Sequence, residues 1–164
     1  TLAIPYADMA KQEINDFREK FDCGEPSLNE YLVNTMGQHN KKGITPSFLL
    51  PSTDPLHPLI GYYSLTHGQL DCSGLTESTK KKLKLPNIVP ILRLSRLAID
   101  KHFEKKGFGK ILMAEIFYRA QISKQNGGCV FIVVDALHED AKKYYEKYGF
   151  EAMVDNPLQL YLKV

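Results

Sequence analysis

Residues His102–Lys110, HFEKKGFGK, combine two glycines, two positions apart, with three lysines. A helix predicted to follow this loop would offer it unpaired N–H groups and the positive end of the helix dipole. Glycines also let the backbone approach an anion without a Cβ in the way. The residues alone fit either a pyrophosphate cradle or a basic surface turn. The full dinucleotide motif G-x-G-x-x-G is absent because position 112 is Leu, and no P-loop motif occurs.

Three tyrosines, Tyr144, Tyr145 and Tyr148, lie in the predicted helix EDAKKYYEKYGF. A tyrosine hydroxyl has an ordinary pKa near ~10, so it stays protonated at neutral pH and is able to act as a general acid. Tyrosines on a short helix also commonly cover a core. Their spacing alone favours the packing interpretation.

Cysteine and histidine usage argues against metal and disulfide chemistry. Cys23, Cys72 and Cys129 are far apart and form no C-x-x-C pair, and the five histidines show no H-x-x-x-H spacing. We therefore expect no metal site, no disulfide framework and a reducing, cytoplasmic setting. No apolar run has the length of a membrane span. The net charge of +2 is too small by itself to indicate nucleic-acid binding.

Periodicity and turn residues predict an α/β or α+β chain that forms a single domain over residues 1–164. Helices are predicted within 23–43, 110–128 and 139–150, and a short polar helix or loop within 76–85. Strands are predicted within 46–52, 59–70, 89–99, 129–136 and 158–164. Ser27 and Glu30 have the spacing of a capping box. The strand–helix–strand run from Val89 to Ala136 predicts a parallel crossover. Ligands bind beyond the C-terminal strand ends of such units, where the glycine loop falls.

Basic residues form several local clusters that would grip nucleic-acid phosphates if they shared one face. Lys41, Lys42 and Arg93 are the candidate substrate contacts. Arg93 and Arg96 lie in a strand otherwise rich in Ile and Leu, where a charge needs a partner. We expect Arg96 to pair with an acidic group and leave the partner of Arg93 open.

The runs RLAIDKHFEKKGFGKILM and AKKYYEKYGF, with an apolar strand between them, resemble the GCN5-related N-acetyltransferase (GNAT) superfamily. Adding FDCGEPSLNEYLVNTMGQHNKKG and GYYSLTHGQL, the chain from Phe21 to Phe150 is similar to the acetyltransferase toxins of toxin–antitoxin modules. This resemblance implies a central mixed, mostly antiparallel, twisted sheet flanked by helices, with a β-α-β-α acetyl-CoA-binding segment. It also implies an enzyme that acetylates the α-amino group of aminoacyl-tRNA and so blocks translation.

The resemblance also implies roles for individual residues. Acetyl-CoA would be the co-substrate, and no metal would be needed. Its pantetheine arm would meet the backbone of Leu97, Ala98 and Ile99. Its pyrophosphate would be held by Lys105, Lys106, Gly107, Phe108, Gly109 and Lys110. Tyr145, in Y-x-x-x-G-F, stands where the family places the tyrosine near the thioester sulfur. Glu104 replaces the usual Gln or Arg, and we expect its carboxylate to face away from the cofactor.

The chemistry these residues support is direct attack of an amine on the thioester, with Tyr145 as general acid. No acidic residue near the loop sits in an obvious base motif. A lysine amine, with a pKa near ~10.4, would need a base, whereas an α-amine near ~7.7–8.0 needs much less help. The missing base thus fits an α-amino substrate.

Two alternatives remain open at this stage, a GNAT enzyme acting on a small-molecule or protein amine and a non-catalytic acetyl-CoA-binding module. The resemblance further implies a ribbon-helix-helix antitoxin as partner, a homodimer and no membrane association.

Overall fold

The computed structural model describes residues 2–164, which form six α-helices and seven β-strands. The strands are β1 (Ile4–Pro5), β2 (Ser47–Pro51), β3 (Leu59–Asp71), β4 (Ile88–Ile99), β5 (Phe131–Asp135), β6 (Glu151–Ala152) and β7 (Gln159–Lys163). The helices are α1 (Lys11–Lys20), α2 (Pro26–Asn34), α3 (Met36–Lys41), α4 (Glu77–Leu83), α5 (Phe108–Gly127) and α6 (Glu139–Glu146). Short 3-10 turns lie at Tyr6–Asp8, Cys72–Gly74 and Lys101–Phe103.

The strands form one sheet in the order β1-β2-β3-β4-β5-β7-β6. Strands β4 and β5 pair in parallel, with Ile91 opposite Phe131 and Leu94 opposite Val134. Because α5 connects them, the predicted strand–helix–strand crossover is confirmed. The β1–β2, β2–β3, β5–β7 and β6–β7 pairs are antiparallel.

Contacts divide the chain into two compact units, which β3, β4 and α5 each run through. The first unit contains the chain up to Thr66 together with Ser95–Ile116, and the second contains His67–Leu94 and Phe117–Val164. The single domain over residues 1–164 stays a prediction.

The core of the first unit forms between α1, α2, α3 and the strands β2 and β3. Its buried members include Ile14, Phe17, Leu32, Met36, Leu49 and Tyr62. Helix α1 was not predicted from the sequence, because Ile14 and Phe17 are its only two buried residues and span a single turn. So short an apolar stripe gives little periodicity.

The helix predicted over 23–43 is present but differs in its start and its continuity. It begins at Pro26, which suits the first helical position because proline lacks the N–H that would be unpaired there. Glu25 is therefore the N-cap and makes no side-chain capping bond, so the predicted capping box of Ser27 and Glu30 is wrong. The helix is interrupted at Thr35 before α3 begins.

The core of the second unit lies around β5 and β7. Residues 131–134 of β5 are all buried, as the nearly all-apolar run predicted. Other buried members include Leu70, Leu75, Val89, Ile91, Met153 and Tyr161. Within residues 2–164, no helix has both the length and the apolar character that a bilayer span requires.

Candidate active site

The glycine loop joins the end of β4 to α5 through two left-handed backbone positions. Lys105 has φ +59° and Gly107 has φ +88°. A Cβ built on Gly107 would meet no atom within 4 Å, so that face of the loop is open. The Ile111 N–H donates to the Gly107 carbonyl at 3.2 Å, which places Gly107 at the cap of α5. The N–H groups of the first turn of α5 therefore point out of the helix end, as an anion site requires.

Asp100 fixes the start of this loop. Its side chain is buried, and its two carboxylate oxygens accept from the backbone N–H groups of His102 at 2.8 Å and Asp22 at 3.0 Å. Its own N–H donates to the Ile60 carbonyl at 2.8 Å. In the sequence Asp100 has no base motif and no other role, whereas the structure makes it a positioning residue. The signal for this role is an Asp immediately before a short turn, the usual N-cap position.

Aromatic contacts support the loop from within the first unit. The Phe103 ring lies edge-to-face with Phe108 at 5.6 Å between centroids, and the Lys106 ammonium lies 5.9 Å from the Phe103 centroid. Lys105, Lys106 and Lys110 are all exposed, so their charges are available to a ligand. Glu104 is also exposed, and its orientation away from a bound cofactor stays a prediction.

The C-terminal half of β4 extends beyond its pairing with β5. The β4–β5 register covers Ile91 to Leu94, whereas β4 continues to Ile99. Within residues 2–164 the strand pairing with β5 ends at Leu94, and buried backbone groups need hydrogen bonds. This extension contains Leu97, Ala98 and Ile99, which makes it a suitable edge for a ligand with amide groups.

Strand β3 approaches the same extension closely at Gly61. A Cβ at Gly61 would lie 2.5 Å from the Ala98 carbonyl oxygen and 2.7 Å from Ile99 Cδ1. Only glycine permits this distance, so the sequence GYY on β3 positions the end of β4.

Tyr145 lies on α6 in the second unit, and its environment differs from that of its neighbours. Its ring is buried between Tyr144 and Phe150, with centroid distances of 5.4 and 5.6 Å. Burial raises the pKa of the Tyr145 hydroxyl above its ordinary value. Among residues 2–164, no group forms a hydrogen bond with that hydroxyl. By contrast, the Tyr148 hydroxyl donates to Tyr144 at 3.4 Å.

The local sequence explains how Tyr145 is held. His138 caps α6, with its Nδ1 accepting from the Ala141 N–H at 3.2 Å. The chain then turns at Gly149, whose φ of +93° is costly for any residue with a side chain. This turn returns Phe150 onto the Tyr145 ring. In the Y-x-x-x-G-F motif, the glycine therefore makes the left-handed turn that lets the phenylalanine pack against the tyrosine.

The two arginines of β4 have partners of different kinds. Arg93, left open in the sequence, forms an ion pair with Asp135. Arg96 does not pair with an acidic side chain among residues 2–164; its guanidinium lies 3.7 Å from the centroid of the Tyr31 ring. The prediction for Arg96 is therefore wrong, because an aromatic face replaces the carboxylate. Lys41 and Lys42 are exposed at the end of α3, and their contact with a substrate stays a prediction.

The family model described as an acetyltransferase (GNAT) domain matches residues 60–152. A tRNA-acetylating toxin of Mycobacterium tuberculosis (strain ATCC 25618 / H37Rv) is 30% identical over 142 residues, which cover 87% of this chain and 82% of that protein.

Solved structures of acetyltransferase toxins are also similar to this chain. AtaT complexed with acetyl-methionyl-tRNAfMet is 28% identical, covers 89% of this chain and 86% of its own, and has a TM-score of 0.81. A tyrosine-to-phenylalanine mutant of the AtaT toxin, bound to the C-terminus of the antitoxin AtaR and acetyl-CoA, is 26% identical with a TM-score of 0.73. That similarity covers 87% of this chain and 82% of the mutant's. The fold predicted from the sequence is confirmed.

Proposed function

This chain belongs to the GNAT family of acetyltransferases, and from that premise we propose that it is a toxin that transfers the acetyl group of acetyl-CoA to the α-amino group of an aminoacyl-tRNA. Its similarity to a tRNA-acetylating toxin and to AtaT in complex with an acetylated methionyl-tRNA supports this substrate class. Acetylation removes the nucleophilic amine that peptide-bond formation needs, so translation would be blocked.

One observation carries the catalytic part of the proposal: the Tyr145 ring is buried while its hydroxyl has no hydrogen-bond partner in the described chain. A buried tyrosine that only packs usually satisfies its hydroxyl internally. Tyr62 does so here, donating to the Leu28 carbonyl at 2.7 Å. The Tyr145 hydroxyl instead keeps its donor available for a substrate atom, and its raised pKa keeps the proton on the oxygen.

The residues of the chain divide the acetyl-transfer work among them. The first turn of α5 and the lysines of the glycine loop would hold the pyrophosphate of acetyl-CoA, and the backbone of Leu97–Ile99 would hold its pantetheine amides. A backbone N–H of β4 would donate to the carbonyl oxygen as negative charge develops there.

Acetyl transfer needs no nucleophile from the protein, because the substrate amine attacks the thioester directly. The α-amine attacks the thioester carbon, the C–N bond forms and the C–S bond breaks. The Tyr145 hydroxyl gives its proton to the departing sulfur, and the proton lost by the amine returns to the tyrosinate through solvent. The amine must be neutral to attack, which an α-amine achieves near pH ~8 without a dedicated base.

The proposed substrate fixes the expected partners and setting. Exposed Lys41 and Lys42 would contact tRNA phosphates, whereas Arg93 is a weaker candidate because Asp135 already neutralises it. Because AtaT binds the C-terminus of the antitoxin AtaR, an antitoxin of the ribbon-helix-helix class is the proposed protein partner. A homodimer working in the cytoplasm, where charged tRNA resides, completes the proposal.

The test is acetyl transfer from labelled acetyl-CoA to charged tRNA, with uncharged tRNA and a lysine-containing peptide as matched acceptors. We expect label on aminoacyl-tRNA only, in a bond that survives removal of the amino acid from the tRNA. Label on the peptide but on no charged isoacceptor would favour a protein-amine enzyme. Binding of acetyl-CoA without transfer to any acceptor would favour a non-catalytic module.

A further inference from the structure

Asp54, His57 and His102 converge beside the glycine loop, although they are distant in sequence. One ligand atom from each, a carboxylate oxygen or a ring nitrogen, lies within 4.8 Å of the other two. We propose that this cluster, the His57–His102–Asp54 site, binds a divalent transition-metal ion such as Zn²⁺. The proposal is independent of the acetyl-transfer function, because direct amine attack with a tyrosine acid uses no metal.

The carboxylate of Asp54 is held with one oxygen available. Its N–H donates to Ser52 Oγ at 3.0 Å, and its Oδ1 accepts from the Leu56 N–H at 2.9 Å. The His57 N–H donates to the Asp54 carbonyl at 3.1 Å, which closes the turn that presents both side chains. Oδ2 has no hydrogen-bond donor among residues 2–164 and faces His102 Nε2 across 3.8 Å. This turn therefore aims an unused carboxylate oxygen at an imidazole.

The distance between these two atoms suits a shared ion. It is longer than an N–H···O hydrogen bond. Two ligands of a tetrahedral ion with bonds of ~2.0–2.1 Å are roughly 3.4 Å apart. A contraction of a few tenths of an ångström would therefore bring Oδ2 of Asp54 and Nε2 of His102 to the spacing of neighbouring metal ligands.

The second imidazole is already beside the first. The His57 and His102 rings are stacked, with centroids 3.8 Å apart and planes within 5°. Lone pairs of parallel rings do not meet at one point, so binding an ion requires one ring to turn about χ2. That torsion is broad and roughly two-fold for histidine. His57 and His102 are both partly exposed, which leaves room for the turn.

The donor set selects the class of ion. Two imidazoles and one carboxylate favour Zn²⁺, Ni²⁺ or Co²⁺ over Mg²⁺ and Ca²⁺, which prefer all-oxygen sites. Three protein ligands leave a position for water. No spacing in the sequence showed this set, because Asp54 and His57 lie between β2 and β3 and His102 follows β4.

An ion at this site would join two segments of the first unit next to the glycine loop. His102 belongs to the 3-10 turn that Asp100 fixes, and its ring contacts Phe103 at 4.9 Å. Phe103 in turn contacts Phe108 at the start of α5. A bound ion would therefore tie the connection between β2 and β3 to the turn that precedes the glycine loop, and so resist unfolding of this region.

The test measures Zn²⁺ and Co²⁺ binding to the full chain after chelator treatment, by calorimetry and by the visible absorption of Co²⁺. Variants Asp54→Asn, His57→Ala and His102→Ala remove one ligand each, and His67→Ala removes an exposed histidine elsewhere as the matched control. We expect one equivalent of ion in the wild type and in His67→Ala. Each ligand variant should bind at least ~10-fold more weakly, since even loss of an outer-shell partner costs ~10–100-fold.

Thermal unfolding with and without Zn²⁺ separates a lost site from a lost fold. The melting temperature should rise with Zn²⁺ for the wild type and His67→Ala, whereas the ligand variants should keep cooperative unfolding and lose the rise. No binding by the wild type would overturn the proposal and leave Asp54 Oδ2 and His102 Nε2 as an ordinary side-chain contact at 3.8 Å. Unchanged binding in all three ligand variants would also overturn it, because the ion would then lie elsewhere.

Discussion

Replacing Asp100 with alanine should destabilise the chain far more than loss of an ordinary turn cap. Residue Asp100 is only 4% exposed, and its carboxylate accepts from two backbone N–H groups, those of His102 and Asp22. A buried donor left without an acceptor costs about 1–3 kcal/mol. Two such donors would give about 2–6 kcal/mol. Because both hydrogen bonds are only partly buried, water keeps some access to the N–H groups of His102 and Asp22, so we expect a loss of roughly 2–4 kcal/mol in the free energy of unfolding.

A matched control is available in the second unit. Asp71 precedes the 3-10 turn Cys72–Gly74 and accepts from the Ser73 N–H at 2.9 Å, but it is exposed. Water can replace that single bond, so Asp71→Ala should cost only about 0.5–1 kcal/mol. Asp100→Asn is the near-isosteric companion. It keeps one acceptor but places an amide donor against the other N–H, so an intermediate loss is expected.

The assay is urea unfolding of the wild type and the three variants, paired with calorimetric titration of acetyl-CoA. Because Asp100 fixes the start of the glycine loop, acetyl-CoA should bind more weakly to both Asp100 variants and unchanged to Asp71→Ala. If Asp100→Ala lost no more stability than Asp71→Ala, the carboxylate would not be what holds the loop. Lost stability with unaltered acetyl-CoA binding would refute the link between Asp100 and the cofactor.

Two further predictions concern the loop backbone and the proposed acid. Gly107 and Gly43 have positive φ, +88° and +72°, and a Cβ on either would lie in open space. Replacing either glycine with Ala should therefore lower the free energy of unfolding by about 1–2 kcal/mol, measured with urea. Only Gly107→Ala should also weaken acetyl-CoA binding. Equal weakening by both would contradict the role of Gly107. In a pH series, kcat/KM should rise as the α-amine of the substrate loses its proton near pH ~8. It should then stay level through pH ~10, because burial raises the pKa of Tyr145 and the hydroxyl keeps its proton. A fall beginning well below pH ~10 would contradict Tyr145 as the acid.

The sequence predicted those helices, strands and turns whose local residue pattern favours the same conformation that the folded chain adopts. The apolar run of β5, the glycine stop after α5 and the turn at Gly149 each follow from residues that allow few other conformations. Helix α1 lacked such a pattern, and β1 and β6 are two-residue strands that exist only through pairing with their neighbours.

Side-chain partners were less predictable, because they depend on distances between segments far apart in the chain. The sequence could not tell that Arg96 faces the Tyr31 ring, since an arginine in a strand suits an aromatic face as well as a carboxylate. For the same reason it gave Asp100 no structural role and did not bring His57 and His102 together. The loop and Tyr145 became candidate site residues only because a family resemblance added to spacing that was ambiguous alone.

The most direct measurement of the central claim is single-turnover acetylation of aminoacyl-tRNA by Tyr145→Phe, with Tyr148→Phe as the matched control. Loss of a general acid should lower the rate roughly 100- to 10,000-fold in Tyr145→Phe, with acetyl-CoA binding and melting temperature close to wild type. Tyr148→Phe loses only a hydrogen bond to Tyr144 and should keep most of the rate. A Tyr145→Phe rate close to that of the wild type would contradict the account.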